Sequence, residues 1–179
     1  MPSEVKAFIA VFTGFMPLIL LWSIPNHYAL LLGTAMILIL LAKDIIMKNI
    51  GILTIVLTVF FLTSSVLYFY CHLSAVLDHK ALISFILLAL TGFITAAVGK
   101  PYTMYDARVG YPKSFWGSPL FIEVNILITR IWAVIYLINT VIVLLLGNSI
   151  FALVLSNSII ALGIISSIAI PKLMPGTFE

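Results

Sequence analysis

Six long apolar segments, separated by short polar ones, run along this chain of 179 residues. About 20 mostly apolar residues allow a helix to cross the hydrocarbon core of a bilayer, which is roughly 30 Å thick. Each segment therefore predicts a transmembrane helix, and together they predict an all-α, polytopic integral membrane protein. We expect a single transmembrane domain over residues 1–179. The predicted helices cover residues 7–24, 28–43, 50–71, 81–98, 120–146 and 149–170.

Composition supports the same fold class. Hydrophobic residues make up 63% of the chain and charged residues only 8%, whereas a soluble domain carries about 25% charged residues. So few charges cannot cover a water-facing exterior, so most of the exterior must face lipid. We therefore expect a multi-pass protein of the cell membrane. The single cysteine, Cys71, excludes an internal disulfide framework.

The basic residues are divided very unequally between the two sides of the membrane. With six helices, the two termini and the second and fourth loops share one side, and the opposite side holds only Lys80. Because cytoplasmic loops are enriched in Lys and Arg, this imbalance predicts that both termini are cytoplasmic. The basic residues of the predicted cytoplasmic side are Lys6, Lys43, Lys48, Lys100, Arg108, Lys113 and Lys172.

The longest polar segment, residues 100–119, alternates aromatic with charged residues. One interpretation is an interfacial connector on the cytoplasmic leaflet, because aromatic rings prefer the headgroup level and lysines attract anionic lipid. The other is a lid or docking loop for a ligand or partner, since long ordered loops are often functional. The candidate binding residues of this segment are Lys100, Tyr102, Tyr105, Asp106, Arg108 and Trp116.

The fifth predicted helix carries polar residues on two faces, which is unusual in lipid. At 100° per residue, one set falls within about 80°, and it predicts a polar cavity under the loop 100–119. Glu123 and Arg130 lie together on the opposite side. Arg130 either marks the membrane boundary, where its side chain can snorkel, or lies deep in the membrane and pairs with Glu123. The first set is Asn125, Thr129, Trp132, Tyr136 and Asn139.

Three histidines fall on the predicted outer side, with Cys71 and Asp78 adjacent to two of them. Imidazole, thiolate and carboxylate groups can bind zinc or copper. No spacing in the chain matches a metal motif, however, so ordinary polar loop residues are the main interpretation. No metal or other cofactor is predicted. The weak metal candidates are His27, His72 and His79.

The chain lacks the motifs of common enzyme classes. It has no phosphate-binding loop, no His-Glu-x-x-His, and no Gly-x-Ser-x-Gly nucleophile motif. Ser156, Gly163 and Ser167 form a stripe of small residues that is typical of helix packing, within the chain or between copies. We therefore expect no catalytic residues and no nucleic-acid partner. The expected partners are membrane lipids with anionic headgroups at the cytoplasmic face, a second copy of the chain, or other membrane proteins.

Four short features give the chain a distant resemblance to a known family. Phe15-Met16-Pro17-Leu18 lies in the first helix, and Lys100-Pro101 opens the long loop. Trp116 stands late in that loop, ahead of Asn125 and Trp132-Ala133-Val134, and a basic residue precedes Met174-Pro175 near the end. With these features the chain resembles the intracellular septation protein A family of small multi-helix inner-membrane proteins. It departs from that pattern in the wider spacing of Asn125 and Trp132 and in the segment 102–108.

The resemblance implies a non-enzymatic role in cell-envelope maintenance or division, exercised through membrane partners. Two hypotheses of function follow from the sequence. The first is a structural or interaction protein that acts through partners or lipids. The second is a small transporter or lipid-binding protein, with its polar cavity on the fifth helix.

Overall fold

The computed structural model describes residues 3–147 and 149–173 of the chain. Helices account for 81% of the structure, and the described residues form no strand, which confirms the all-α class. A single 3₁₀ turn covers Lys113–Phe115. The α-helices in chain order are α1 Ser3–Ser23, α2 Tyr28–Ile46, α3 Ile52–Phe69, α4 Ala75–Asp78, α5 Lys80–Ala97, α6 Thr103–Ala107, α7 Pro119–Leu146 and α8 Ile150–Leu173.

Five of these helices are long and apolar enough to cross a membrane: α2, α3, α5, α7 and α8. In α1 the apolar stretch is shorter, Phe12–Ser23. The membrane character of the chain is thus supported by five helices. A sixth span in α1, the cytoplasmic location of the termini and the particular membrane stay predictions.

The connections fall at two ends of the helical bundle. One end, here called the basic end, carries the connections 47–51 and 98–118. The other, the far end, carries the connections 24–27 and 70–79 and the turn at Gly147. The three histidines lie at the far end, where the His27 ring packs 4.4 Å from Tyr28 and edge-on to Phe69. Among the described residues, no group of three or more His, Cys, Asp or Glu side chains could hold a metal ion.

The pair α5–α7 forms the centre of the bundle, with α1 to α3 packed in sequence beside it and α8 mainly on α7. Gly92 allows the close approach of α5 to α7, because a Cβ atom there would lie only 2.7 Å from Cβ of Ala133. Gly163 does the same for α8, where a Cβ would lie 2.6 Å from Cδ1 of Ile135. Small residues at helix crossings are typical of membrane bundles.

The contact of Gly92 with α7 also shows how far Arg130 lies from the end of the neighbouring helix α5. Gly92 lies beside Thr129 and Ala133, and α5 ends five residues later at Ala97. At 1.5 Å per residue, the end of α5 is about level with Ile126, so Arg130 lies roughly 6 Å from that level. The first turns of α7 therefore extend beyond α5. This geometry favours the boundary interpretation of Arg130 over a midplane position.

Candidate functional site

The polar face predicted for the fifth helix belongs to α7, and its residues lie inside the bundle. Ser118 begins this helix as its N-cap, since its hydroxyl accepts a hydrogen bond from the backbone N–H of Phe121, and Pro119 occupies the first turn. All five residues of the face are at least nine-tenths buried: Asn125, Thr129, Trp132, Tyr136 and Asn139.

Thr103, in the first turn of α6, is the hydrogen-bond partner of Asn125 and Thr129. Its hydroxyl oxygen lies 2.8 Å from the Thr129 hydroxyl and donates to the backbone carbonyl and side-chain oxygen of Asn125 at 3.1 and 3.2 Å. Asn125 also donates to the carbonyl of Phe121 at 2.8 Å. Buried polar groups need such partners because no water is available to them. No pattern in the sequence indicates this role of Thr103.

This insertion bears on two expectations for the loop 100–119. Residues 101–104 are buried, and α6 packs against both α1 and α7, so this part of the loop lies inside the bundle. The polar cavity expected under the loop is filled at Asn125 and Thr129 by Thr103. The physical reason is the same in both cases, because the polar face of α7 needs hydrogen-bonding groups and α6 brings one.

Deeper along the same face the contacts are aromatic. Phe15 packs against Trp132 and Tyr136 with ring centroids 6.2 and 6.3 Å apart, and the Trp132 indole donates to the Ser167 hydroxyl at 2.9 Å. Tyr102 is 2% exposed, and burial raises the pKa of its hydroxyl. The hydroxyl groups of Tyr102 and Tyr136 lie near each other, but neither meets hydrogen-bond geometry with a described residue.

The second half of the loop is organised around Arg108. Its guanidinium carbon lies 4.8 Å from the ring centre of Tyr105 and 5.1 Å from that of Trp116, both within cation–π range. The Trp116 indole donates to the carbonyl of Tyr111 at 3.0 Å. Three of the predicted binding residues therefore come together, with Arg108 in contact with both aromatic rings.

Asp106 connects the loop electrostatically to the α2–α3 connection. The pKa of Asp106 is raised to about 6, mainly by burial and also by nearby Asp44, whereas Lys43 opposes the shift. Asp44 accepts a hydrogen bond from the Thr54 hydroxyl at 2.7 Å and lies 3.4 Å from the Lys43 ammonium. Asp106, Asp44, Lys43 and Thr54 thus form a polar network at the basic end.

Lys100, Glu123 and Arg130 are not part of this network. All three are exposed. Among the described residues, the ion pair that forms is Lys43–Asp44, so Glu123 and Arg130 do not pair with each other. Their separation of seven residues corresponds to about 10 Å along the helix axis.

A cavity that the sequence did not predict lies at the far end. It has a volume of about 620 Å³, is partly open, and is bounded by α1, α4, α5, α7 and α8. Its residues come from separate segments and most are apolar, so no local pattern reveals it. The lining residues are Trp22, Ser23, Pro25, Leu77, Asp78, Lys80, Ala81, Phe85, Val143, Gly147, Ser149, Ala152, Leu153, Ser156, Asn157 and Ile160.

Several polar groups of this cavity are engaged with the protein. The Lys80 ammonium donates to the carbonyl of Ile24 at 2.5 Å, at the C-terminal end of α1, and the Trp22 indole donates to the Ser84 hydroxyl at 2.9 Å. The side chain of Asn157 donates to the carbonyl of Leu153. In the sequence, Lys80 stands out only as the sole Lys or Arg on the predicted outer side.

Two further polar groups of the cavity have no such contact. Asp78 forms no ion pair among the described residues. Ser156 is 8% exposed, and its hydroxyl oxygen has no hydrogen-bond partner there. Other serines of α8 behave differently, because Ser158, Ser166 and Ser167 each donate to the carbonyl four residues earlier.

Comparisons with protein-family models, with curated proteins and with solved structures find no match to this chain. The resemblance to the septation protein family accordingly stays a prediction from the residues alone.

Proposed function

We propose that this protein is a non-catalytic integral membrane protein that binds a membrane lipid in the far-end cavity. The observation that carries this proposal is the cavity itself, about 620 Å³ between α1, α5, α7 and α8. Ligand sites in proteins have volumes of about 300–1,000 Å³, are mostly apolar, and hold a few polar groups that fix orientation. The far-end cavity fits each of these criteria.

The packing of α8 explains why the cavity is open. Only 11% of the apolar stretch of α8 is buried, against 50% in α7, because α8 packs mainly on α7. The face of α8 toward α1 and α5 therefore borders the cavity. In a bilayer such an opening faces lipid, so a lipid molecule can enter from the side.

The order of groups along the cavity suits an amphiphile. Asp78 and Lys80 lie where α5 begins, at the end of the bundle, whereas Phe85 and Ile160 line the cavity farther along their helices. Charged groups at the membrane surface with apolar walls below match a polar headgroup and an acyl chain.

The basic end supports lipid binding over transport through the bundle. A transported solute would need a polar path along α7, and Thr103 and Tyr102 occupy that space beside Asn125 and Thr129. The role in envelope maintenance or division stays a prediction from the family resemblance.

The test uses two matched substitutions on α8. Leu153 lines the cavity and is 64% exposed, which places it at the rim, whereas Leu162 is 61% exposed and does not line it. We expect Leu153→Trp to block the opening and to remove co-purifying lipid, measured by native mass spectrometry of the detergent-solubilised protein. Leu162→Trp should retain the lipid of the wild-type protein.

Both variants should keep the helical circular-dichroism spectrum and the melting temperature, because both positions are exposed. The proposal fails if the wild-type protein carries no lipid under mild solubilisation. It also fails if Leu153→Trp retains as much lipid as Leu162→Trp.

A further inference from the structure

The far-end cavity holds two opposite charges that do not neutralise each other. Lys80 and Asp78 both line it, and they form no ion pair together. Lys80 uses one of its three N–H donors on the carbonyl of Ile24, which leaves two for a ligand. The Asp78 side chain is exposed, and a carboxylate accepts hydrogen bonds from a cationic group.

After Asp78, the hydroxyl of Ser156 is the second polar group of the cavity without a partner among the described residues. It lies on α8, across the cavity from α5, and is buried. A buried hydroxyl without a hydrogen bond is costly.

The surrounding charges point to a ligand whose own charges are paired. The lysines in or next to the other described connections lie at the basic end: Lys43, Lys48, Lys100 and Lys113. The far end therefore offers one cation and one anion at the cavity, with no surplus of positive charge to favour an anionic lipid.

We propose, on the basis of the proposed lipid-binding function, that the far-end cavity selects a zwitterionic phospholipid, with its phosphate at Lys80 and its ammonium group at Asp78. The acyl chain lies along the apolar walls near Phe85 and Ile160. An anionic lipid such as phosphatidylglycerol would bring its phosphate to Lys80 but leave Asp78 beside a headgroup with no cation. Diacylglycerol would use neither charge.

The test measures lipid binding to the full-length protein after delipidation in detergent. Phosphatidylethanolamine, phosphatidylcholine, phosphatidylglycerol and diacylglycerol with identical acyl chains are titrated separately, and occupancy is read by native mass spectrometry. We expect the two zwitterionic lipids to bind roughly fivefold more tightly than phosphatidylglycerol, because one charge near a membrane surface is worth about that factor. Glycerophosphoethanolamine, which lacks acyl chains, should not displace them.

Two near-isosteric substitutions assign the two charges. Asp78→Asn should abolish the preference for phosphatidylethanolamine over phosphatidylglycerol, because the group that favours the ammonium is lost. Lys80→Gln should lower the affinity for every phospholipid roughly fivefold toward that of diacylglycerol, while its amide still offers a donor to the Ile24 carbonyl. The matched controls are Glu123→Gln and Lys100→Gln, which change the same charges at exposed positions outside the cavity.

The outcomes separate this inference from the function on which it rests. If no lipid of any class binds, the lipid-binding function is wrong, and the inference falls with it. If lipids bind without a headgroup preference, or if Asp78→Asn and Lys80→Gln behave like their controls, the inference alone is overturned. A melting temperature close to that of the wild-type protein for each variant excludes loss of folding as the cause.

Discussion

Individual polar residues at the two ends of the bundle differ in what they contact. At the basic end, the hydroxyl of Thr103 is bonded to Asn125 and Thr129, and the guanidinium of Arg108 lies between two aromatic rings. At the far end, Asp78 has no ion pair and Ser156 has no hydrogen-bond partner among the described residues, and both line a cavity.

The difference separates polar groups that hold the fold together from polar groups that are available to a ligand. Groups whose hydrogen bonds are satisfied within the protein contribute to stability, and their removal leaves their partners unsatisfied. Groups without partners contribute little to stability and can bind something else. Substitution of Thr103 should therefore change folding, and substitution of Asp78 should change binding.

The largest effect is expected at Thr103. Thr103→Val keeps the shape of the side chain but leaves the Thr129 hydroxyl and the Asn125 side-chain oxygen without their bonds to α6. We expect a loss of about 2 kcal/mol in the free energy of unfolding, measured by denaturant titration in detergent micelles. Lipid occupancy of the far-end cavity should not change at denaturant concentrations where the protein is folded.

The control for this prediction is Thr91→Val in α5. Thr91 is also buried, but its hydroxyl donates only to the carbonyl of Leu87 in its own helix. Removal of this hydroxyl leaves no other side chain without a hydrogen bond. We therefore expect the free energy of unfolding to fall by less than about 0.5 kcal/mol. Equal effects of the two substitutions would show that the hydrogen bonds between α6 and α7 are not important for stability.

The contrast between the ends also explains what the sequence could reveal. The apolar segments located the helices closely, because length and hydropathy are properties of continuous segments. The helix predicted over 120–146 is observed as Pro119–Leu146, and that over 50–71 as Ile52–Phe69. The inward polar face of α7 was also visible, since positions on one helix are related by a fixed rotation.

Contacts between distant segments were not visible. Nothing in the sequence shows that Thr103 bonds to Asn125 and Thr129, because its position depends on how deeply α6 inserts beside α1. The far-end cavity was missed for a related reason. It exists because α8 packs mainly on α7 and leaves a gap beside α1 and α5, and no single segment encodes that gap.

A second prediction concerns the pH dependence of the basic end. Burial raises the pKa of Asp106 to about 6, above its usual value of 3.8. The folded protein therefore binds the proton more tightly than the unfolded chain. The resulting stabilisation is complete below pH 3.8 and is lost as the pH rises through 6.

Asp106→Asn should remove this dependence and raise the free energy of unfolding at pH 7.5 by about 2 kcal/mol, allowing for the partial exposure of the side chain. The measurement is a series of thermal unfolding curves between pH 4.5 and 8 for both proteins. Glu123→Gln serves as the control, because Glu123 is exposed. If the wild-type protein becomes more stable as the pH rises from 4.5 to 7, the assigned environment of Asp106 is wrong.

A third prediction concerns the cation–π contacts of Arg108. Arg108→Gln removes the charge that lies over the rings of Tyr105 and Trp116. We expect the free energy of unfolding to fall by about 1 kcal/mol and the fluorescence of Trp116 to change. Lys113→Gln removes the same charge at an exposed position of the same loop and should leave both properties unchanged. Identical fluorescence in Arg108→Gln and the wild-type protein would contradict the observed stacking.

The smallest effect on stability should come from Ser156→Ala. Ser167 on the same helix is a matched control for it. Ser167 accepts a hydrogen bond from the Trp132 indole. Ser167→Ala leaves that buried N–H without an acceptor and should lower the free energy of unfolding by about 1 kcal/mol. Ser156→Ala removes a buried hydroxyl that has no partner, so the delipidated protein should be unchanged or slightly more stable. Lipid binding should depend on Ser156 rather than on Ser167, because Ser156 lines the cavity and Ser167 does not. Any change in lipid affinity should appear in Ser156→Ala and not in Ser167→Ala. A clear loss of stability in lipid-free Ser156→Ala would place this serine among the residues that hold the fold together.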